Sequence, residues 1–111
     1  MQRITIIAGI GFTREGTSIP DEVLQTSLTL IREMLTATFG GFTENTGIGG
    51  WKNGSSYVQE ASKTWPMFVA NWMTPAEVWN VARDIARTLR QEAVLAVFEG
   101  DTAREMAYIT Q

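Results

Sequence analysis

The sequence predicts an α+β fold of β-α-β-β-α-β order, the ferredoxin-like split arrangement with two helices on one face of an antiparallel sheet. Three observations predict it. An alternating apolar strand opens the chain, two amphipathic helical stretches are separated by a hairpin signal at Asn53-Gly54, and an apolar run follows the second helix.

Residues 3–12 alternate with period two, so that Ile4, Ile6, Ala8, Ile10 and Phe12 fall on one face. Gly9 and Gly11 form a G-x-G without the rest of a dinucleotide fingerprint, which points to a bend or a close backbone approach. After a polar loop, Pro20-Asp21-Glu22 reads as a helix first turn. Leu24, Leu28, Ile31 and Leu35 repeat at helical spacing until Gly40-Gly41 stops them. Residues 41–50 suggest a strand with frayed or bulged ends, and Asn53-Gly54 supplies the positive φ of a tight turn. Residues 55–72 return as one long strand or two pieces, with a break or an edge position expected near Trp65-Pro66.

Thr74-Pro75-Ala76-Glu77 is a capping box with proline at the first helical position. Val78, Ala82, Ile85 and Leu89 form the buried stripe of this helix, and Arg83, Asp84, Arg87 and Arg90 face water. Residues 93–98 are apolar throughout and too short for a helix, so they form a strand. The tail after Asp101 fits either a short helix or a further strand. Ile7, Leu95 and Val97 lie opposite the helix-covered face, and an apolar second face calls for burial, most simply in a homo-oligomer with sheet packed on sheet.

With 111 residues, 44% of them hydrophobic and 19% charged, residues 1–111 are expected to form one ferredoxin-like domain. A net charge of −3 with scattered basic residues argues against nucleic-acid binding. The chain has no apolar run of membrane-spanning length and no leader pattern, so a cytoplasmic, unprocessed protein is expected. It contains no cysteine and no histidine. Thiol nucleophiles, the usual zinc sites and imidazole bases are thereby excluded, leaving carboxylates, hydroxyls, Lys, Arg and aromatic faces.

Tyr57-Val58-Gln59-Glu60-Ala61 follows a Gly-rich strand, Asn80-Val81-Ala82-Arg83 lies in the second helix, and Val94-Leu95-Ala96-Val97 lies on the last strand. Thr102-Ala103 and Tyr108 come after it. In this order the words resemble the phage S-adenosylmethionine lyases, formerly called hydrolases, over roughly residues 40–110. A group of ferredoxin-like bacterial proteins shares Gly-Trp, the Glu60-to-Lys63 pattern and the Gln91-to-Leu95 pattern.

The resemblance implies a homotrimer like the PII signalling proteins, with ligand sites between subunits. It implies cleavage of S-adenosylmethionine to 5′-methylthioadenosine and homoserine lactone, which in a phage would deprive host restriction methyltransferases of their cofactor. It also implies catalytic roles for Glu60 and Tyr57 and substrate contacts from Trp51, Ser62 and Phe42, with neither cofactor nor metal.

The chemistry suits these residue types, because a sulfonium is a good leaving group and the substrate's own carboxylate can attack its γ-carbon. Glu60 could anchor the substrate ammonium and the Tyr57 hydroxyl could orient the carboxylate or ribose. Other readings stay open from the residues alone. Glu60 also fits a solvent-face or ion-paired carboxylate, and Tyr57 with Trp51 fits a cross-strand aromatic pair. The same trimer could instead bind or sequester a nucleotide or other small ligand without turning it over.

Overall fold

A computed structural model describes residues 2–101 and 104–111 and, at Trp51 and Asn53, the backbone alone. The elements run β1 (Gln2–Gly9), α1 (Asp21–Phe39), β2 (Asn45–Asn53), β3 (Ser56–Val69), α2 (Pro75–Thr88), β4 (Ala93–Glu99) and β5 (Arg104–Thr110). The five strands make one sheet in the order β2-β3-β1-β4-β5, and every neighbouring pair is antiparallel. The first four strands have the expected ferredoxin-like order. The ambiguous tail is the fifth, extending the sheet beside β4.

Register divides the side chains cleanly. Ile4 and Ile6 sit opposite Met67 and Trp65 on one side and Phe98 and Ala96 on the other. All six are buried, together with Leu28, Ile31 and Leu35 of α1 and Val78, Ala82 and Ile85 of α2. This is the core between sheet and helices. The expected stripe of α2 is present, widened by Val81 and Ala86. Trp65 is wholly buried at its centre, and removing a side chain of that size from water is worth about 4 kcal/mol. Trp72, by contrast, is exposed.

Among the described residues the other sheet face has no helix over it. It carries Thr5 and Ile7, their cross-strand partners Pro66, Thr64, Val97 and Leu95, and then Met106 and Tyr108 of β5. Tyr108 is 76% exposed and Phe68, two positions beyond Pro66, is 68% exposed.

Helix ends follow local chemistry. α1 begins after Pro20 with Asp21 and Glu22 at its positive end. It stops at Gly40, whose φ of 84° lets the Gly40 amide turn back to the Thr36 carbonyl. At the start of α2 the Thr74 amide donates to Glu77 Oε2 at 2.8 Å, the backbone-to-side-chain half of the capping box. α2 ends less conventionally. Arg90 is not on the helical water face but beyond it, with a φ of 55°. The Gln91 amide closes onto the Ala86 carbonyl at 2.8 Å, so Arg90 occupies the left-handed position that glycine ordinarily takes.

β3 is one continuous strand across Pro66, not two pieces. The β2 ladder ends at the Asn45–Thr64 pair, so the outer side of β3 is unpartnered at Pro66 among the described residues. The missing amide interrupts no ladder there, and the edge alternative is the one realised.

Glu44, just before β2, ties this region to α1. Its carboxylate accepts from Arg32 Nε and Nη2 at 3.0 and 2.8 Å and from the Trp65 indole at 3.0 Å, with Lys63 Nζ 3.5 Å away. The Arg32 hydrogen bonds, then those of Trp65 and the nearby positive charges, outweigh burial and hold the carboxyl at about 2. No helix among the described residues is long and apolar enough to cross a membrane.

Candidate active site

Glu60 lies on β3, on the open sheet face, where the neighbouring β1 has just ended. The chain continues past Gly9 with Ile10 still donating to the Ala61 carbonyl at 2.9 Å, and then turns away. At the turn two successive amides, Gly11 N and Phe12 N, both point at Glu60 Oε2, at 2.9 and 3.0 Å. Consecutive amides aimed at one point form a concave anion seat, here filled by the protein's own carboxylate.

The G-x-G has its explanation in this contact. A β-carbon on Gly9 would lie 2.3 Å from Glu60 Oε1, and one on Gly11 would lie 2.9 Å from Glu60 Cβ. Both glycines let the carboxylate lie flat against the backbone. The close approach expected from the sequence is therefore an approach by Glu60.

The segment after Phe12 is a compact, self-bonded loop. Phe12 and Ser18 bridge, Thr13 N donates to Thr17 O at 2.8 Å, and Ile19 N donates to Gly11 O at 3.0 Å. Arg14 N fastens it to the Arg90 carbonyl at 2.9 Å. Gln91, 7% exposed, donates from its side-chain amide to the Phe12 carbonyl and, at 3.4 Å, to Leu89 O. Its own carbonyl accepts from the Gln111 side chain.

Between this loop, Glu60 and β5 lies an open groove of about 890 Å³. Phe12, Val58 and Tyr108 give it apolar and aromatic walls, and Gln91 and Thr110 add polar groups. Among the described residues its charged lining is three carboxylates, Glu15, Glu60 and Glu92, against one guanidinium, Arg14. Arg14 pairs with Glu15 at 3.1 Å, and that hydrogen bond is the largest influence holding the Glu15 carboxyl below the usual carboxylate range. Such a lining favours a cationic ligand with an apolar or aromatic part.

The other expected site residues are dispersed. Tyr57 stands an odd number of positions from Glu60 on a regular strand, so its ring lies on the opposite sheet face. It packs against Gly50, where a β-carbon would come within 2.5 Å of its hydroxyl, and accepts a hydrogen bond from Gln59 Nε2 at 3.1 Å. It is 66% exposed and does not line the groove. Ser62 shares the Glu60 face but is nearly buried between Gly9 and Gly47 and lies outside the groove lining. Phe42 lines a separate cavity of about 530 Å³ with Arg3, Phe39 and Phe68. The Trp51 side chain lies outside the described residues, as do Thr102 and Ala103.

Sequence reasoning missed Gln91, Phe12 and Tyr108 as groove residues. The one signal available was the G-x-G, which announces an approach without naming what approaches.

No family model matches the chain, and no curated protein matches its sequence. Among solved structures it is similar to a phage SAM lyase in complex with S-methyl-5′-thioadenosine. The match has a TM-score of 0.70 and 14% identity, covering 99% of this chain and 89% of that one. The chain has the phage SAM lyase fold. A phage SAM lyase in its apo state matches equally over length, with a TM-score of 0.69 and 14% identity. The likeness spans nearly the whole chain, including β1 and α1, which the sequence words did not reach.

Proposed function

We propose that this protein is an S-adenosylmethionine lyase whose groove at Glu60 holds the substrate. The observation that carries the reading is a carboxylate fixed by two backbone amides in an acid-rich, aromatic-walled groove, on the fold that phage SAM lyases share. S-Adenosylmethionine carries a sulfonium and an ammonium, so three carboxylates facing one guanidinium favour its capture.

The reaction is internal to the substrate. Its carboxylate oxygen attacks its own γ-carbon, the carbon–sulfur bond breaks, and the bonding pair leaves with sulfur. The products are methylthioadenosine and homoserine lactone, and no proton changes place. The enzyme's task is to fold the methionine moiety so that oxygen and γ-carbon meet in line with sulfur. Glu60 Oε1, whose partner oxygen is tied to the backbone, is suited to hold the ammonium, while Tyr108 and Phe12 offer faces to the sulfonium or adenine. Opposite charges cancel as the bond forms, so a groove shielded from water speeds the step.

Shielding comes from assembly in this reading. The open sheet face, with Ile7, Leu95, Met106 and Tyr108, is covered by other copies in a homotrimer, and the exposed hairpin of β2 and β3 carries Tyr57 to a neighbour's groove. In a phage-infected cell the enzyme acts in the host cytoplasm, removing the methyl donor that restriction systems use.

The test is incubation of the purified protein with S-adenosylmethionine, following products by chromatography and mass spectrometry. Methylthioadenosine with homoserine lactone ahead of homoserine supports the lyase, and Glu60→Gln should abolish it while leaving the circular dichroism unchanged. Substrate recovered intact after denaturation of a saturated complex would mean a binding protein instead.

A further inference from the structure

We propose that Gln91 is the positioning residue of the Glu60 site, holding in place the two backbone amides that fix the carboxylate; this rests on the lyase reading above. Gly11 and Phe12 belong to no regular strand, so the direction of their amides depends on what holds the turn. Upstream, Ile10 is anchored to β3 through the Ala61 carbonyl. Downstream, the Phe12 carbonyl is held by the Gln91 side-chain amide. The turn is thus clamped at both ends, and Gln91 is the clamp made by a side chain.

The placement of Gln91 suits this role. It lies between the end of α2 and the start of β4, with its own amide on Ala86 O and its side chain shared with Leu89 O. The Gln111 side chain closes on its carbonyl, so the residue is fixed from three sides. It is nearly buried, and a buried primary amide in this position is costly unless its hydrogen bonds are made. The left-handed Arg90 beside it delivers a second tie, from its carbonyl to Arg14 N, to the same loop. Through these contacts the C-terminal end of α2 sets the aim of Gly11 N and Phe12 N, and they set the carboxylate.

The variants are Gln91→Leu, which removes the donor and keeps bulk, and Gln91→Glu, which keeps the shape without an amide donor. The first readout needs no turnover. Amide hydrogen exchange by nuclear magnetic resonance should quicken about tenfold or more at Gly11 and Phe12 in both variants, while Ile4 and Ile6 keep their wild-type rates. The second is kinetic: kcat for methylthioadenosine release should fall by about 10- to 100-fold with KM changed far less.

Unchanged exchange at Gly11 and Phe12, or a kcat that survives per folded molecule, would overturn the proposal. A wild-type protein that releases no methylthioadenosine overturns the lyase reading by itself. In that case the exchange measurement alone decides whether Gln91 holds the amides.

Discussion

The Glu60 carboxylate rests on the bare α-carbon of Gly9, so close that a β-carbon there would sit 2.3 Å from Oε1. Gly9 is not among the glycines with positive φ, so alanine meets no backbone penalty at this position. Among the described residues the three atoms nearest such a β-carbon all belong to the far end of a flexible side chain. Gly9→Ala should therefore leave stability within about 1 kcal/mol of wild type while driving the carboxylate off its amides. Methylthioadenosine formation should drop nearly as far as in Glu60→Gln. A fully active Gly9→Ala protein with an unchanged melting temperature would show that the seat has no part in turnover.

Acid should weaken the fold through Glu44. Its carboxyl lies at about 2 in the folded protein against 4.5 for the unperturbed group. A depressed folded value means stability that is fully present above 4.5 and lost as pH falls toward 2. With Arg32 partly open to solvent, the contribution is on the order of 2 kcal/mol. Urea titrations between pH 6 and pH 2.5 should show this loss in the wild type, over about the range set by linkage. Glu44→Gln should start about 2 kcal/mol lower and show a flatter acid limb. Parallel acid limbs for the two proteins would be the contrary result.

Arg90→Gly should stabilise the fold. An arginine at a φ of 55° carries a left-handed penalty of about 1 kcal/mol that glycine avoids, and both backbone bonds of Arg90 survive the change. Thermal melts should move up by a few degrees, roughly 4 °C for a domain of this size. A lower melting temperature would indicate that the exposed guanidinium makes a stabilising contact of its own.

Tyr57 and Glu60 occupy opposite faces of one strand, so the proposed site joins them only if they come from different copies. Glu60→Gln and Tyr57→Ala proteins, each inactive, should then complement when unfolded together and refolded. Random mixing leaves about one intact pairing in four, so roughly a quarter of wild-type activity is expected. Mixtures as inactive as their components would show that Tyr57 and Glu60 from different copies do not share one site.

Much of this architecture was legible from local pattern. Ile4, Ile6 and Ala8 declared the buried face of β1 by alternation, and Thr74-Pro75-Ala76-Glu77 declared the start of α2 by capping chemistry. β5 was not legible, because Met106 and Tyr108 face outward while Ile109 faces the core, and apolar residues on both faces blur the period. Glu60 stood out as a carboxylate within a strand-like run. Its partners did not, since Phe12 and Gln91 meet only once β1 and β4 are neighbours across 79 residues of chain. The separation of Tyr57 from Glu60 is a different case. Strand parity alone puts residues three apart on opposite sides.

Pro66 has a consequence for life at high concentration. From Trp65 to Val69 the outer side of β3 has no partner strand among the described residues, and Phe68 stands exposed beside it. A stretch of this kind invites another chain to add itself edge to edge. Proline withholds the amide that such an addition needs at its centre, and does so without disturbing the pairing to β1 on the inner side. Replacing it with threonine would keep the strand and remove the barrier to fibril-like growth.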